Sequence, residues 1–129
     1  MGCRHFIPET AAKVHELGGL YIAAHIDRPN FSVLGTLGSI PAPPPVPAAP
    51  SPRGADNYFD AVELSRTADE AIWLPKASNY AVTRSSDAHN LDDIARVWTE
   101  ADLPEFSTAA LKAAFAAKST RLSPRLTAF

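Results

Sequence analysis

The sequence predicts an α/β domain in which parallel strands alternate with helices. Short apolar runs, of the kind buried on both faces of a parallel sheet, alternate along the chain with segments that carry helical start and stop signals. This order is typical of helices packed against a parallel sheet. The 129 residues are 46% hydrophobic and 20% charged, which is the normal balance of a globular domain with a buried core.

The N-terminal part of the chain is predicted to contain a helix, a strand and a second, short helix. The first helix is expected over "PETAAKVHELG", 8–18, because Pro8 suits the first helical position and Gly18 suits the stop. The apolar run "LYIAAH", 20–25, predicts the first strand, and "FSVLGTLG", 31–38, predicts the short helix.

The middle of the chain repeats the strand and helix order. A strand is predicted over "FDAVELS", 59–65, and a third strand over "YAVTRSSD", 80–87. Between them "TADEAIWL", 67–74, predicts a helix in which Thr67 is the N-cap and Glu70 has the capping-box spacing.

The C-terminal part is predicted to be mainly helical. "NLDDIARV", 90–97, predicts a short helix capped by Asn90, and "VWTEA", 97–101, is a candidate strand. "STAALKAAFAAKS", 107–119, has the clearest helical spacing, with Ser107 as its N-cap.

A proline-rich segment interrupts this pattern. Residues 40–54, "IPAPPPVPAAPSPRG", hold seven of the twelve prolines in the chain. Proline lacks a backbone donor and has a restricted φ, so the segment favours polyproline II and is expected to be a surface loop or insertion. A ligand for an SH3-like module is the alternative interpretation.

Composition excludes several classes of function. The net charge of −2 gives no general attraction to nucleic acid or to an anionic membrane. The only cysteine, Cys3, excludes an internal disulfide and fits a reducing compartment, so a cytoplasmic location is expected. There is no apolar run of about 18 residues, so no membrane-spanning helix is predicted. The basic residues after 117 are expected to belong to a solvated tail.

The residues that could carry chemistry follow the predicted strands. In parallel α/β sheets, functional groups collect at the carboxyl ends of the strands. His25 ends the first predicted strand, Glu63 lies near the end of the second, and Asp87 and His89 follow the third. The sequence therefore predicts one site at this edge of the sheet.

Asp87 and His89 are the most informative pair. In an extended chain, residues i and i+2 point to one side with about 6.6–6.8 Å between their Cα atoms, so a carboxylate and an imidazole could share a divalent ion. His25 from a neighbouring strand would add a third ligand. The alternative is that Asp87 caps the following helix and His89 is a hydrogen-bonded loop residue. A Ser-His-Asp hydrolase is disfavoured because no G-x-S-x-G elbow surrounds Ser85 or Ser86.

Three stretches resemble the C-terminal part of PHP-domain proteins, a family named for polymerase and histidinol phosphatase. They are "GGLYIAAHIDRPNFSVLGTLG", "AVELS" and "VTRSSDAHNLDDI", and the resemblance spans roughly residues 8–119. The family contains metal-dependent phosphoesterases with a distorted (βα)7 barrel and divalent ions at the carboxyl ends of its strands. The resemblance implies that residues 1–129 form the C-terminal portion of such a domain, with the N-terminal half missing and the loop 40–54 as an interruption.

The resemblance also implies roles for individual residues. The family motifs match His25, Asp87 and His89 to metal ligands, and zinc, manganese and iron are all compatible with these side chains. Glu63 and Ser86 are implied to lie beside the ligands.

Arg28 follows the first of these motifs closely. Since a guanidinium suits bidentate contact with phosphate, Arg28 could bind the substrate phosphate, and its alternative role is a salt bridge to Asp27 or another loop acid.

The implied function is hydrolysis of a phosphoester, either a small molecule or a nucleotide, by a metal-bound hydroxide. The chain departs from the family pattern because it contains no His-x-His motif, and His5 is the only histidine before the first predicted helix. Autonomous activity is therefore not implied, and another chain could supply the N-terminal half. The alternative is a non-catalytic α/β remnant or interaction module, for which an open strand edge predicts self-association.

Overall fold

The computed structural model describes residues 6–41 and 59–127 and has a mixed α/β fold. In chain order its elements are α1 (Ile7–Glu16), β1 (Ile22–Ala23), α2 (Val33–Leu37), β2 (Ala61–Leu64), α3 (Glu70–Trp73), β3 (Ala81–Arg84), a 3-10 turn (Leu91–Asp93), β4 (Thr99–Glu100), α4 (Thr108–Ala116) and β5 (Arg121–Leu122). The predicted alternation of helices and strands is confirmed.

The three strands of the main sheet are parallel and lie in the order β1-β2-β3. Ala61 of β2 lies opposite Ile22 on one side and Ala81 on the other. Strands β4 and β5 form a separate antiparallel pair. The prediction of parallel strands is therefore confirmed, while the fourth predicted strand belongs to a different sheet.

Strand β2 is buried on both faces of the sheet. Val62 and Leu64 are fully buried in one apolar cluster, whereas Ala61 packs in a second cluster with Phe115 of α4. Covering of both faces explains why the consecutive residues Ala61 and Val62 of β2 are both apolar and buried.

Local signals predict where the first long helix, α1, ends and where the second, α4, begins. Helix α1 is followed by Gly18, whose φ of 75° lies in the left-handed region that glycine adopts without strain. Helix α4 begins after Ser107, whose Oγ accepts a hydrogen bond from the N–H of Ala110 at 3.1 Å. Helix α2 also lies inside its predicted range.

Two elements are shorter than predicted. Strand β1 contains only Ile22–Ala23, because the chain turns over residues 24–27. Helix α3 begins at Glu70, since the side chain of Asp69 accepts from the N–H of Ala71 at 3.0 Å. The predicted capping box of Thr67 and Glu70 is therefore wrong.

Strand β3 ends at Arg84, before Asp87. The side chain of Thr99 accepts from the Arg84 N–H at 2.7 Å and donates to the Arg84 carbonyl at 2.8 Å, so it satisfies the backbone of this residue. Beyond it Asp87 has a φ of 47°. The expected extended geometry for Asp87 and His89 is therefore wrong.

The region after β3 also differs from prediction. The predicted helix 90–97 is a single 3-10 turn, which ends at Ile94, where the backbone is extended with a ψ of 132°. The basic C-terminal residues are paired within the fold: Arg121 lies in β5 and binds Asp102 at 2.8 Å, and Arg125 binds Asp69 at 2.8 Å. The Arg121 hydrogen bond lowers the pKa of Asp102.

Some predictions concern residues outside the described ones. These are most of the proline-rich loop, in the gap 42–58, together with His5 and Cys3. Within the described ranges, no helix has both the length and the apolar character needed to cross a membrane.

We expect replacement of Gly35 by alanine to lower the free energy of unfolding by about 1–3 kcal/mol. An added Cβ would lie 2.1 Å from the carbonyl oxygen of Pro29, so the backbone would have to move. The matched control is Gly38→Ala, where φ is 74° but no atom lies within 4 Å of the new Cβ, and a cost of about 1 kcal/mol is expected. Urea denaturation measures both, and a larger loss for Gly38→Ala would contradict this account.

Candidate metal centre

Three loops meet at the carboxyl edge of the parallel sheet. They follow β1, β2 and β3, and side-chain contacts join them across the edge. Arg28 Nη2 lies 3.1 Å from Asp87 Oδ2, and Ser85 Oγ donates to Glu63 Oε1 at 2.5 Å. The expected gathering of polar residues at this edge is therefore present.

His25 lies in the turn that follows β1. Its φ of 26° is unusual for a residue with a side chain. The turn is held by the Ile26 N–H, which donates to the Glu63 carbonyl at 2.8 Å, and by the Arg28 N–H, which donates to the His25 carbonyl at 3.0 Å. The Nδ1 atom of His25 is buried and has no hydrogen-bond partner among the described residues. None of the described residues therefore satisfies this nitrogen.

Asp87 and His89 lie in the loop after β3. The Asp87 carboxylate, whose side chain is 27% exposed, pairs with Arg28. His89 Nδ1 lies 2.7 Å from the Asp87 carbonyl oxygen. A carbonyl oxygen only accepts, so Nδ1 carries the proton, and in the neutral ring Nε2 keeps a free lone pair. Metal-binding histidines are commonly oriented in this way.

Glu63 and Ser86 have different positions at this edge. Glu63 is half-buried in β2 and accepts the hydrogen bond from Ser85. Ser86 is buried, donates to the Val97 carbonyl at 3.1 Å and accepts from the Val97 N–H at 3.3 Å. These two hydrogen bonds of Ser86 therefore link the loop after β3 to the segment before β4.

The donor atoms do not converge into one metal shell. Within residues 6–41 and 59–127, no group of three or more His, Cys, Asp or Glu side chains is arranged to hold an ion. The Asp87 carboxylate instead contacts the Arg28 guanidinium, which is the predicted alternative of pairing with a loop acid. The structure thus joins the loops that carry the predicted ligands, and the metal-binding role of those ligands stays a prediction.

Four residues that were not predicted as site residues hold these loops in place. Asp27 accepts two hydrogen bonds from Ser65, and Asp93 accepts one from Arg66 at 2.7 Å. The Arg66 hydrogen bond, aided by that of the His89 N–H, lowers the pKa of Asp93. The available signal was the polar pair that directly follows the apolar strand β2.

The C-terminal part of the chain matches a known family. Residues 69–120 match the family model described as PHP-associated, and this range includes Asp87 and His89 but not His25 or Arg28. No curated protein and no solved structure matches the chain. The match over residues 69–120 supports the resemblance of the chain to the C-terminal part of PHP-domain proteins.

Proposed function

We propose that the chain is the C-terminal portion of a PHP-type metal-dependent phosphoesterase domain. His25, Asp87 and His89 would contribute ligands at the carboxyl edge of the sheet. The observation that carries this proposal is the buried Nδ1 of His25, which has no hydrogen-bond partner among the described residues and lies in a loop that Arg28 joins to Asp87. The PHP-associated match supports it, because the matched range contains the Asp-x-His pair.

The chemistry of these donors suits a divalent ion. Two imidazoles and a carboxylate are accepted by zinc, manganese and iron. The free Nδ1 of His25 and the orientation of His89 by a backbone carbonyl both agree with a ligand role. A bound divalent ion would supply Lewis-acid activation of a phosphoester and of water.

The other residues of the edge would bind and orient the substrate, a small phosphoester or a nucleotide. Arg28 is 43% exposed, and the Asp87 carboxylate it contacts is the group that a metal ion would take. Once a metal ion has taken Asp87, the guanidinium of Arg28 could bind phosphate oxygens. Glu63, with Ser85, and the buried Ser86 would support the loop beside the ligands.

We further propose that the three-stranded sheet is part of a distorted (βα)7 barrel. The sequence contains no His-x-His motif, so the remaining ligands would come from an N-terminal half on another polypeptide segment or chain. Among the described residues β1 pairs only with β2, which leaves an edge at which such a partner could add a strand. A cytoplasmic location fits the single cysteine.

A non-catalytic interaction module is the second candidate. An apolar groove of about 510 Å³ lies beside β1. Phe31, which is 95% exposed, and Leu37, which is 52% exposed, line this groove. Exposed apolar surface of this kind is typical of association sites. This candidate predicts self-association without bound metal.

Metal content distinguishes the two candidates. We expect about one divalent ion per chain by elemental mass spectrometry of protein purified without chelator, and its loss in His25→Ala, Asp87→Ala and His89→Ala without unfolding. The matched control is Asp102→Asn, because Asp102 is an arginine-paired, exposed carboxylate away from this edge. Absence of metal from the wild type, or full occupancy in the variants, would contradict the proposed site. Size-exclusion chromatography of the metal-free chain then tests self-association.

A further inference from the structure

Ser65 holds the His25 loop from the end of β2. Its side chain is buried, with 3% of the residue exposed. Its N–H donates to Asp27 Oδ1 at 2.7 Å and its Oγ donates to Asp27 Oδ2 at 2.5 Å. Ser65, which directly follows β2, therefore binds both carboxylate oxygens of Asp27. Asp27 lies only two residues after His25.

The next residue, Arg66, holds the His89 loop. Arg66 Nη1 donates to Asp93 Oδ1 at 2.7 Å. The other oxygen of Asp93 accepts from the N–H groups of His89 and Asn90, each at 3.3 Å. The Arg66 carbonyl accepts from the Leu126 N–H at 2.8 Å, which anchors Arg66 to the C-terminal segment. One carboxylate thus links Arg66 to the backbone of His89.

Both loops contain a residue in a strained conformation. The φ values of 26° at His25 and 47° at Asp87 lie in the left-handed region, which costs of order 1–3 kcal/mol for residues other than glycine. Such a conformation persists only when the surrounding contacts impose it. Ser65 and Arg66 supply contacts of this kind to the two loops through separate carboxylates.

We propose that Ser65 and Arg66 act as positioning residues that set the separation of the two ligand loops. Neither side chain would touch an ion or a substrate, and each acts through an aspartate. The effect on metal affinity rests on the proposed function, whereas the ordering of the loops does not.

The first test measures loop order in the metal-free chain. We expect Arg66→Ala to increase hydrogen exchange of the His89 and Asn90 amides at least tenfold by NMR. Arg125→Ala removes a more exposed ion pair, to Asp69, and should leave these amides unchanged. Asp93→Asn, which keeps the side-chain shape, should also increase the exchange of these amides. It replaces Arg66→Ala as the test variant if Arg66→Ala does not fold. Unchanged exchange in both Arg66→Ala and Asp93→Asn would overturn the proposal.

The second test uses Co²⁺ as the probe. Loss of a group that orients a metal ligand commonly weakens binding by about 10–100-fold. We expect this loss, with an altered cobalt absorption spectrum, in Ser65→Ala and Arg66→Ala that keep the wild-type circular dichroism spectrum, and partial recovery in Arg66→Lys.

The two failures are distinguishable. Wild-type affinity and spectrum in Ser65→Ala and Arg66→Ala would overturn the positioning role. Absence of cobalt binding by the wild type would overturn the proposed function, and the exchange measurement would still decide whether Arg66 orders the loop.

Discussion

Replacement of Arg84 by methionine is expected to lower the free energy of unfolding by about 3 kcal/mol. The guanidinium is fully buried, and its Nη1 donates to Glu70 Oε1 at 2.7 Å and to the Ser123 carbonyl at 2.8 Å. Its Nη2 donates to the Ala68 carbonyl at 2.9 Å. Methionine fills similar space but leaves these acceptors without their donor, and a buried acceptor without a partner costs about 1–3 kcal/mol.

Urea denaturation followed by circular dichroism measures this effect. Arg84→Lys should give an intermediate loss, because lysine keeps the charge but lacks the planar fork that reaches several acceptors. Arg125→Ala is the matched control, since the Arg125–Asp69 pair is about 40% exposed and such pairs contribute less than about 1 kcal/mol. If Arg84→Met were no less stable than Arg125→Ala, the buried hydrogen bonds of Arg84 would not stabilise the fold as expected.

The second large effect concerns metal affinity and rests on the proposed site. We expect Asp87→Asn to weaken Mn²⁺ binding at least tenfold, because it removes a ligand charge next to a divalent cation. We expect Arg28→Gln to strengthen it about threefold. Arg28 contacts the Asp87 carboxylate at 3.1 Å, so it both competes with a cation for that group and repels the cation.

Isothermal titration with Mn²⁺ tests this pair of variants, with Asp102→Asn as the control carboxylate. The gain from Arg28→Gln should shrink at high salt, because the Arg28 and Asp87 side chains are 43% and 27% exposed and their interaction is screened. Equal affinities for wild type and Asp87→Asn would remove Asp87 from the proposed ligand set. If Arg28→Gln bound manganese more tightly and phosphate more weakly than the wild type, the Arg28 guanidinium would be responsible for both effects.

The predictions that succeeded depend on local signals. The start of α4 after Ser107 and the end of α1 before Gly18 follow from side-chain capping and from backbone freedom at one residue. The parallel sheet follows from the spacing of apolar runs between helices. Its carboxyl edge gathers the predicted polar residues for the same reason, since parallel strands end on one side.

The failed prediction with the largest consequence for the site depends on distant residues. Strand β3 stops at Arg84 because Thr99, fifteen positions later, satisfies its backbone. The loop therefore leaves the extended geometry that the Asp-x-His spacing suggested, and its left-handed Asp87 contacts Arg28. No local sequence pattern predicts a contact between side chains so far apart in the chain.

The α/β alternation, the two long helices and the resemblance that the PHP-associated family match supports could all be predicted from the sequence. These features come from periodicity, caps and short motifs, which act between near neighbours along the chain. Three features could be seen only in the folded chain. They are the burial of Arg84, the ion pair between Arg28 and Asp87, and the hydrogen bonds by which Ser65 and Arg66 hold two loops. Each of these depends on which strand ends become neighbours, and that arrangement is settled by packing across the whole domain.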